Sequence, residues 1–192
     1  MEKLKQFSEI LQPDPRQHAF VLVDKATGTM RPTELKDLHA QAEKLVLHEN
    51  VPDAVRYHFE NARNLLVYSW YHYPFNSLAM FHAFIAVEKA LKIKAAKPTA
   101  MFGELLSLAV KQGWIKDQGF TFGRAQIARR EAPLDDFQQP VAEDTLSYCE
   151  ILMTTMPRLR NTFAHGEVFL HHGGATSMLI CAELINQLFP RA

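Results

Sequence analysis

The sequence predicts a mainly α-helical protein with a small β-hairpin near its N-terminus. From residue 53 onward, apolar residues recur at intervals of three and four over several long stretches, which is the spacing of one helix face. Before that point, the β-prone run 19–23 is followed by a turn sequence around Gly28 and a second short run, which is typical of a hairpin. We therefore expect an N-terminal appendage over residues 1–50 and a helical domain over residues 51–192.

The composition limits the class of protein. Hydrophobic residues make up 47% and charged residues 22% of the 192 residues, a balance that is typical of a globular domain with a sizeable core. The 21 basic and 21 acidic residues cancel, so any contact with nucleic acid has to be local. The charged N-terminus lacks the apolar region of a secretory signal, and polar residues interrupt the most apolar stretch, 64–87. We expect a cytoplasmic protein with no membrane span and no cofactor.

The appendage is predicted to contain three short elements. Residues 2–11 have the spacing of a short amphipathic helix, and Pro13 and Pro15 forbid its continuation. The hairpin comes next, and Pro32 and Thr33 then start a second helix. The apolar residues of that helix are Leu35, Leu38, Ala42, Leu45 and Leu47.

Several helices are predicted to follow. The first begins near Asp53 and ends before Pro74, and the second begins with Asn76 or Ser77 as its cap. The apolar stripe of this second helix contains Glu88. The stripe consists of Phe81, Phe84, Ile85, Glu88 and Leu91. A helix over residues 99–112, a short basic helix over 124–130, and a last helix over 175–188 complete this part of the prediction.

A further helix, which starts near Glu143, is expected to carry the residues of greatest interest. Pro157 lies inside it and should kink it one turn before its end. Cys149 on this helix and Cys181 on the last helix both fall on apolar faces. We expect both cysteines to be buried free thiols.

The end of this helix reads RLRNTFAHG and concentrates polar side chains. Because each helical residue advances about 100°, Asn161 and His165 share one face, and Phe163 lies roughly opposite to them. If Phe163 faces the core, His165 faces outward and Arg160 lies at the boundary. Gly166 suits a left-handed C-cap, so we expect the helix to end at His165.

These residue types fit the cleavage of RNA without a metal. That reaction needs a base for the 2′-hydroxyl, a cation for the charge on the phosphorane, and an acid for the leaving 5′-oxygen. Histidine transfers protons near neutral pH, which makes His165 the candidate acid or base. Arg160 offers a planar cation that matches phosphate, and Asn161 can orient the imidazole or hold a phosphate oxygen. One histidine does not easily fill both proton-transfer roles, but a symmetric dimer supplies a second copy.

The pattern of Arg160 and Asn161 followed by three residues and His165 resembles the R-x4-H motif of HEPN domains. Two further features extend the resemblance over residues 53–189. One is the earlier helix, in which a lone Glu88 stands shortly before Ala-Leu, and the other is the helix that follows the motif. The resemblance implies an up-and-down helical bundle and a homodimer whose two motifs face each other across a cleft. It implies a metal-independent endoribonuclease that leaves 2′,3′-cyclic phosphate and 5′-hydroxyl ends.

The resemblance also assigns roles and partners. Arg160, Asn161 and His165 become the catalytic residues, and Glu88 supports them. We also expect Arg158, two residues before Arg160, to be a supporting residue. RNA is the expected substrate. Domains of this kind often act as toxins that pair with an antitoxin protein, or in defence against phage. Others have lost activity, so the alternative is a catalytically inactive binding or scaffold module for nucleotide, RNA or a protein partner.

The structural alternative is that Arg160 pairs with Glu88 and serves the fold. We hypothesise that contact in either case, because an unpaired carboxylate in an apolar stripe would be costly. The basic residues Arg124, Arg129 and Arg130 are candidates for RNA contact, and a solvated helix face explains them equally well.

A cluster of histidines near the motif raises the question of a metal site. Glu167, His171 and His172 follow His165 closely in the sequence. No two of these histidines are spaced i,i+4, and no cysteine is near, so the closed set of four ligands that a structural zinc site needs is absent. We expect no metal.

Overall fold

The computed structural model describes residues 3–24, 26–131, 146–165 and 174–191. Within those ranges the chain is mainly helical and contains one small antiparallel sheet, as the sequence predicts. The α-helices are α1 (Leu35–Glu43), α2 (Asp53–Tyr68), α3 (Phe75–Ala95), α4 (Phe102–Lys111), α5 (Thr121–Glu131), α6 (Tyr148–Ala164) and α7 (Gly174–Leu188). The strands are β1 (Val21–Val23) and β2 (Met30–Pro32), and 3-10 helical turns occupy Phe7–Glu9, Pro15–Ala19 and Asp117–Gly119. The up-and-down, HEPN-like arrangement of the helices stays a prediction.

Helix α3 is the centre of the core. It packs against α2, α4, α6 and α7, with its most extensive contacts to α2 and α7. Small residues allow this close approach, because Ala79, Ala83, Ala86 and Ala90 are fully buried along its length. The predicted single stripe is therefore wrong in part: Phe84 and Leu91 are buried, but Phe81 and Ile85 are only partly buried. A helix that is covered on several sides has no single apolar face to read from its spacing.

The hairpin is confirmed. Val21 pairs with Pro32 and Val23 with Met30 in antiparallel register. The turn between the strands is closed by a hydrogen bond of 2.9 Å from the backbone N–H of Asp24 to the carbonyl of Thr29. Gly28 adopts a φ of 70°, in the left-handed region that glycine enters without strain.

The predicted helix over residues 2–11 is wrong. Among its described residues only the single 3-10 turn Phe7–Glu9 is helical. Leu4 and Phe7 are 99% and 93% exposed, so the apolar side chains have no surface to pack on. A short helix without tertiary packing is marginal in water, which explains the difference.

The appendage is joined to the helical domain by buried polar contacts. The carboxylate of Asp14 accepts a hydrogen bond of 2.9 Å from the backbone N–H of Tyr73. The side chain of Gln17 donates to the carbonyl of Ser69 at 2.9 Å. Helix α1 packs against α2, and it ends before Leu45 and Leu47, which are nevertheless buried. The division of the chain at residue 50 stays a prediction. The contacts described here connect the residues on its two sides.

Helix α6 begins later than predicted. Ser147 has an extended backbone, and its hydroxyl accepts a hydrogen bond from the N–H of Glu150, so the helix starts at Tyr148 and not near Glu143. It continues through Pro157 and ends at Ala164, with His165 as its C-cap. The predicted left-handed Gly166 lies outside the described residues.

The prediction for the two cysteines is confirmed within the described residues. Cys149 and Cys181 are buried free thiols. Burial raises the pKa of Cys149 to about 12, so this thiol is inert at neutral pH. None of the described helices combines the length and the apolar character that crossing a bilayer requires.

Candidate functional site

The packing of α6 on α3 sets the orientation of the motif. Phe163 faces α3, where its ring lies 6.1 Å from the ring of Phe84, centre to centre. The helical rotation then places Arg160 at the boundary of the core, and Asn161 and His165 are exposed. This arrangement is the one that the sequence predicts for a core-facing Phe163.

Arg160 is held by Glu88, as hypothesised from the sequence. The Nη2 and Nε atoms of Arg160 donate to Oε2 of Glu88 at 3.0 and 3.2 Å. The other carboxylate oxygen, Oε1, accepts from Nζ of Lys92 at 2.7 Å. The side chains of Glu88 and Arg160 are 15% and 31% exposed, so this ion pair is partly shielded from solvent but open on one side. Glu88 therefore fixes the orientation of the Arg160 guanidinium.

The charge of Glu88 is maintained by its neighbours. Burial alone would raise the pKa of this carboxyl, but the hydrogen bond from Lys92 and the positive charge of Arg160 outweigh it and hold the pKa below its usual value. Two cations thus share one anion, and the cluster keeps a net positive charge at neutral pH. An anion that approaches the cluster from solvent meets a cationic edge.

The edge of Arg160 that Glu88 does not use points toward Asn161. Nη1 of Arg160 donates to Oδ1 of Asn161 at 3.3 Å. The carboxamide of Asn161 is exposed, so its amino group is accessible as a second donor. Together the two side chains present neighbouring N–H groups, which is an arrangement suited to the oxygens of a phosphate.

These side chains line an open cleft of about 470 Å³. Its walls are formed by three helices and the loop before α4. They comprise Glu88 and Lys92 of α3, residues 99–104, and Pro157, Arg160 and Asn161 of α6. The acidic Glu104 lies on the α4 wall, where its carboxylate accepts from the backbone N–H of Met101 at 3.3 Å. With Glu104 included, the charged side chains that line the cleft sum to zero, so the attraction for an anion is local to Arg160 and Lys92.

His165 does not line this cleft. It is the exposed C-cap of α6, and its backbone N–H donates to the carbonyl of Asn161 at 2.9 Å. Four residues of helix correspond to about 6 Å of rise, so the imidazole lies one turn beyond Asn161. Its ring makes no hydrogen bond to the described residues. A single chain therefore presents Arg160 and Asn161 in the cleft and His165 on the adjoining surface.

The remaining basic residues do not extend the cleft. Arg158 is exposed on α6 and is not among the residues that line it. Arg130 donates to the carbonyl of Leu146 at 2.8 Å, which places it at the opposite end of α6. At 1.5 Å per residue, about 20 Å of helix separates that point from Arg160. The candidate RNA contacts on α5 are therefore not continuous with the motif.

Arg124 and Arg129 also have local partners on the α5 side. Arg124 donates to the carbonyl of Gln118 at 2.9 Å, and Arg129 donates to the carbonyl of Ala125 at 3.3 Å. Both side chains are exposed, as in a solvated helix face.

Most residues that line the cleft were not predicted from the sequence, and two of them, Lys92 and Met101, have side chains suited to contact a ligand. Lys92 stands four residues after Glu88 on α3, and this i,i+4 spacing could have identified it as the second partner of the carboxylate. Met101 lies in the loop before α4, and no local pattern indicates that this loop folds against α6. Both residues are candidates for ligand contact.

The described part of the chain holds no group of three or more His, Cys, Asp or Glu residues arranged to bind a metal. Glu167, His171 and His172, which raised the metal question, lie outside the described residues.

Comparisons of the chain with protein-family models, with curated proteins and with solved structures give no match. The resemblance of the motif to that of HEPN domains therefore rests on the residues themselves.

Proposed function

We propose that the chain is a metal-independent endoribonuclease of HEPN type that acts as a symmetric dimer. The observation that carries the proposal is the guanidinium of Arg160, which Glu88 orients at the edge of an open cleft, next to the accessible carboxamide of Asn161. His165, exposed at the end of the same helix, supplies the imidazole that we propose as acid and base. The residues proposed for anion binding and for proton transfer thus lie at the same end of α6.

In the proposed reaction the ribose 2′-hydroxyl attacks the adjacent phosphorus atom. The new 2′-oxygen–phosphorus bond forms as the bond from phosphorus to the 5′-oxygen breaks, which yields a cyclic phosphate and a 5′-hydroxyl. One His165 accepts the proton of the 2′-hydroxyl, and the second copy of His165 gives a proton to the leaving oxygen. Arg160 and Asn161 stabilise the charge that develops on the non-bridging phosphate oxygens.

We propose a dimer because one imidazole does not easily serve as both base and acid in the same step. His165 lies on the surface that adjoins the cleft, so a second chain on that surface would add the second imidazole. A two-fold axis that passes beside the end of α6 brings a second copy of the same face opposite the first. Met101 lines the cleft, and its apolar side chain is 72% exposed. A role in a toxin–antitoxin pair or in phage defence is part of the same proposal.

The alternative function is a catalytically inactive module that binds nucleotide, RNA or a protein partner. The observation that favours it is the occupation of Nε and Nη2 of Arg160 by Glu88, because these donors are then not free for phosphate. The inactive module binds an anion through Nη1 and Asn161 without the need for His165. The two functions therefore differ in their need for His165: the ribonuclease requires its imidazole, and the binding module does not.

The test is RNA cleavage by the purified full chain in the presence of excess chelator. We expect the wild type to cut and both His165→Ala and Arg160→Ala to lose the activity. His39→Ala and Arg191→Ala serve as matched controls, because both residues are exposed and lie outside the cleft. Full activity in His165→Ala would rule out the proposed role of the motif, and RNA binding without cleavage by every variant would identify the inactive module.

A further inference from the structure

Two histidines meet where helices α2 and α3 pack together. His58 on α2 and His82 on α3 have ring centres 6.4 Å apart, with an angle of 36° between the ring planes. Of the described elements, α2 and α3 share the most extensive contact. The ring of Tyr57 also contacts His58 edge-on, at 5.6 Å between centres. The packing of two long helices therefore fixes the separation of the two imidazoles.

Each of the two rings has a buried nitrogen without a partner. The Nδ1 atoms of His58 and His82 are both shielded from solvent, and neither makes a hydrogen bond to the described residues or to the other ring. A neutral imidazole carries a proton on one nitrogen and a lone pair on the other. Buried polar atoms are normally satisfied, so two unpaired nitrogens on adjoining rings indicate one shared partner.

The surroundings of the pair are apolar. The residues one helical turn before and after each histidine are apolar, with the exception of Asn61. Burial, and to a smaller extent the charge of His58, lower the pKa of His82. The imidazole of His82 is therefore neutral at neutral pH, which is the form that binds a metal ion.

The separation of the rings fits two ligands on opposite sides of one ion. A bond from a metal to imidazole nitrogen is about 2 Å long and the ring centre lies roughly 1.2 Å behind that nitrogen, so each centre stands about 3.2 Å from the ion. Rings in line with the ion are then about 6.4 Å apart, whereas a tetrahedral angle brings the centres to about 5 Å. The observed 6.4 Å is the separation of the linear arrangement.

The number of ligands and the burial select the class of ion. Zinc sites normally have four ligands, or three and a water molecule. Among the described residues, no group of three or more His, Cys, Asp and Glu side chains is arranged for a metal, so the pair stands alone. Cu(I) is satisfied by two ligands in line, and imidazole suits copper. Its single charge also costs less to bury in an apolar setting than the double charge of a divalent ion.

We propose that His58 and His82 bind one Cu(I) ion between their Nδ1 atoms. The bound ion links α2 to α3. Neither histidine lines the cleft around Arg160, and His82 precedes Glu88 by six residues of α3, which correspond to about 9 Å. The site is thus separate from the proposed ribonuclease site and plays no part in its reaction.

The experiment is an anaerobic titration of the full chain with Cu(I), supplied as its acetonitrile complex, beside a parallel titration with Zn²⁺. We expect one Cu(I) per chain and a rise in Tm of at least about 5 °C when free Cu(I) is a hundred times Kd, because the ion binds only the folded state. Zn²⁺ should bind at least about 100-fold more weakly, since two of its usual ligands are missing. The X-ray absorption spectrum of the Cu(I) form should show two nitrogen neighbours and no sulfur.

Variants of the two histidines show which residues hold the ion. His58→Phe and His82→Phe keep a ring at each position, and each should abolish Cu(I) binding while the copper-free Tm stays equal or rises, because an unpaired buried nitrogen is removed. His58→Gln and His82→Gln repeat the test if a Phe variant does not fold. His39→Phe is the matched control, because His39 is exposed on α1, and its affinity for Cu(I) should equal that of the wild type.

Three results would overturn the inference. One is the absence of Cu(I) binding by the wild type. Another is binding that persists in the variants of both histidines, or sulfur in the spectrum, since the thiols of Cys149 and Cys181 would then hold the ion. The last is equal affinity for Zn²⁺ and Cu(I), which contradicts two ligands in line. The RNA cleavage assay is run in excess chelator, so its outcome is independent of all three.

Discussion

The two ends of helix α6 use their polar groups in opposite ways. At its start, Ser147 caps the helix, and the carboxylate of Asp117 accepts hydrogen bonds of 3.1 and 2.9 Å from the backbone N–H groups of Tyr148 and Cys149. These bonds satisfy donors that a helix start leaves unpaired. The polar groups at this end are therefore committed to the fold.

At the other end the polar side chains face solvent. Two contacts hold this end to α3: the ring contact of Phe163 with Phe84 and the ion pair of Arg160 with Glu88. Asn161 and His165 remain exposed. Neither of these two side chains is buried in the core, and the proposed activity uses both. Substitutions at the start of α6 should therefore affect stability, and substitutions at the end should affect activity.

The largest expected effect belongs to His165→Ala at the exposed end. Loss of a proton-transfer group should lower the rate of RNA cleavage about 10³-fold, whereas the free energy of unfolding should change by less than about 0.5 kcal/mol. Cleavage kinetics and urea unfolding of the same preparation measure the two quantities. A fall in stability that parallels the loss of activity would show that this end also serves the fold.

The second prediction contrasts two leucines of the same helix. Leu152 is 5% exposed and Leu159 is 39% exposed. Leu152→Ala should lower the free energy of unfolding by about 3 kcal/mol because it opens a cavity in the core, and Leu159→Ala by less than about 1 kcal/mol. Urea unfolding of both variants measures the difference. Equal losses would mean that the two ends of α6 are packed alike.

The third prediction concerns Asp117. Burial alone would raise the pKa of its carboxyl, but hydrogen bonds from the Cys149 thiol and from the backbone N–H groups of Cys149 and Tyr148 outweigh burial and lower it. Asp117→Asn should therefore lower the free energy of unfolding at neutral pH by about 1.5 kcal/mol.

The pH dependence of this loss follows from the direction of the pKa shift. A carboxyl with a lowered folded-state pKa contributes stability above its unfolded pKa of about 4, and that contribution disappears as the pH falls through the lower, folded value. The difference in the free energy of unfolding between wild type and Asp117→Asn should thus be largest near pH 7 and should shrink below about pH 4. A gap that is the same at both pH values would contradict the assigned role.

The smallest expected effect belongs to Glu88→Gln, which removes the charge that orients Arg160 but keeps the shape of the side chain. The cleavage rate should fall about tenfold while the free energy of unfolding changes by less than about 1 kcal/mol, because the ion pair is partly exposed. Lys92→Met, which removes the other partner of the carboxylate, should change the rate less. A larger loss of rate in Lys92→Met than in Glu88→Gln would assign the anion-binding role to the lysine.

The sequence predicts those features of this fold that depend on local pattern. The helices and the hairpin follow from apolar spacing and turn residues, and the contact of Arg160 with Glu88 follows from the cost of an unpaired carboxylate. Features that depend on which elements meet were not predictable. The helix expected over residues 2–11 lacks a surface to pack on, and Met101 reaches the cleft through a loop whose position no local pattern reveals.

The basic helix α5 illustrates the same limit. Its arginines suggest an RNA track when the sequence is read alone, but α5 docks at the start of α6, and Arg130 bonds to the carbonyl of Leu146 there. The sequence shows that a helix is basic, but it does not show which end of a neighbouring helix that basic helix will pack against.

The most direct test of the proposed activity is the chemical identity of the RNA ends that the wild-type chain produces in excess chelator. The proposed mechanism predicts 2′,3′-cyclic phosphate and 5′-hydroxyl ends, because the 2′-hydroxyl is the nucleophile and His165 the proton donor to the leaving oxygen. Products with 5′-phosphate ends, or intact RNA in every preparation, would contradict it.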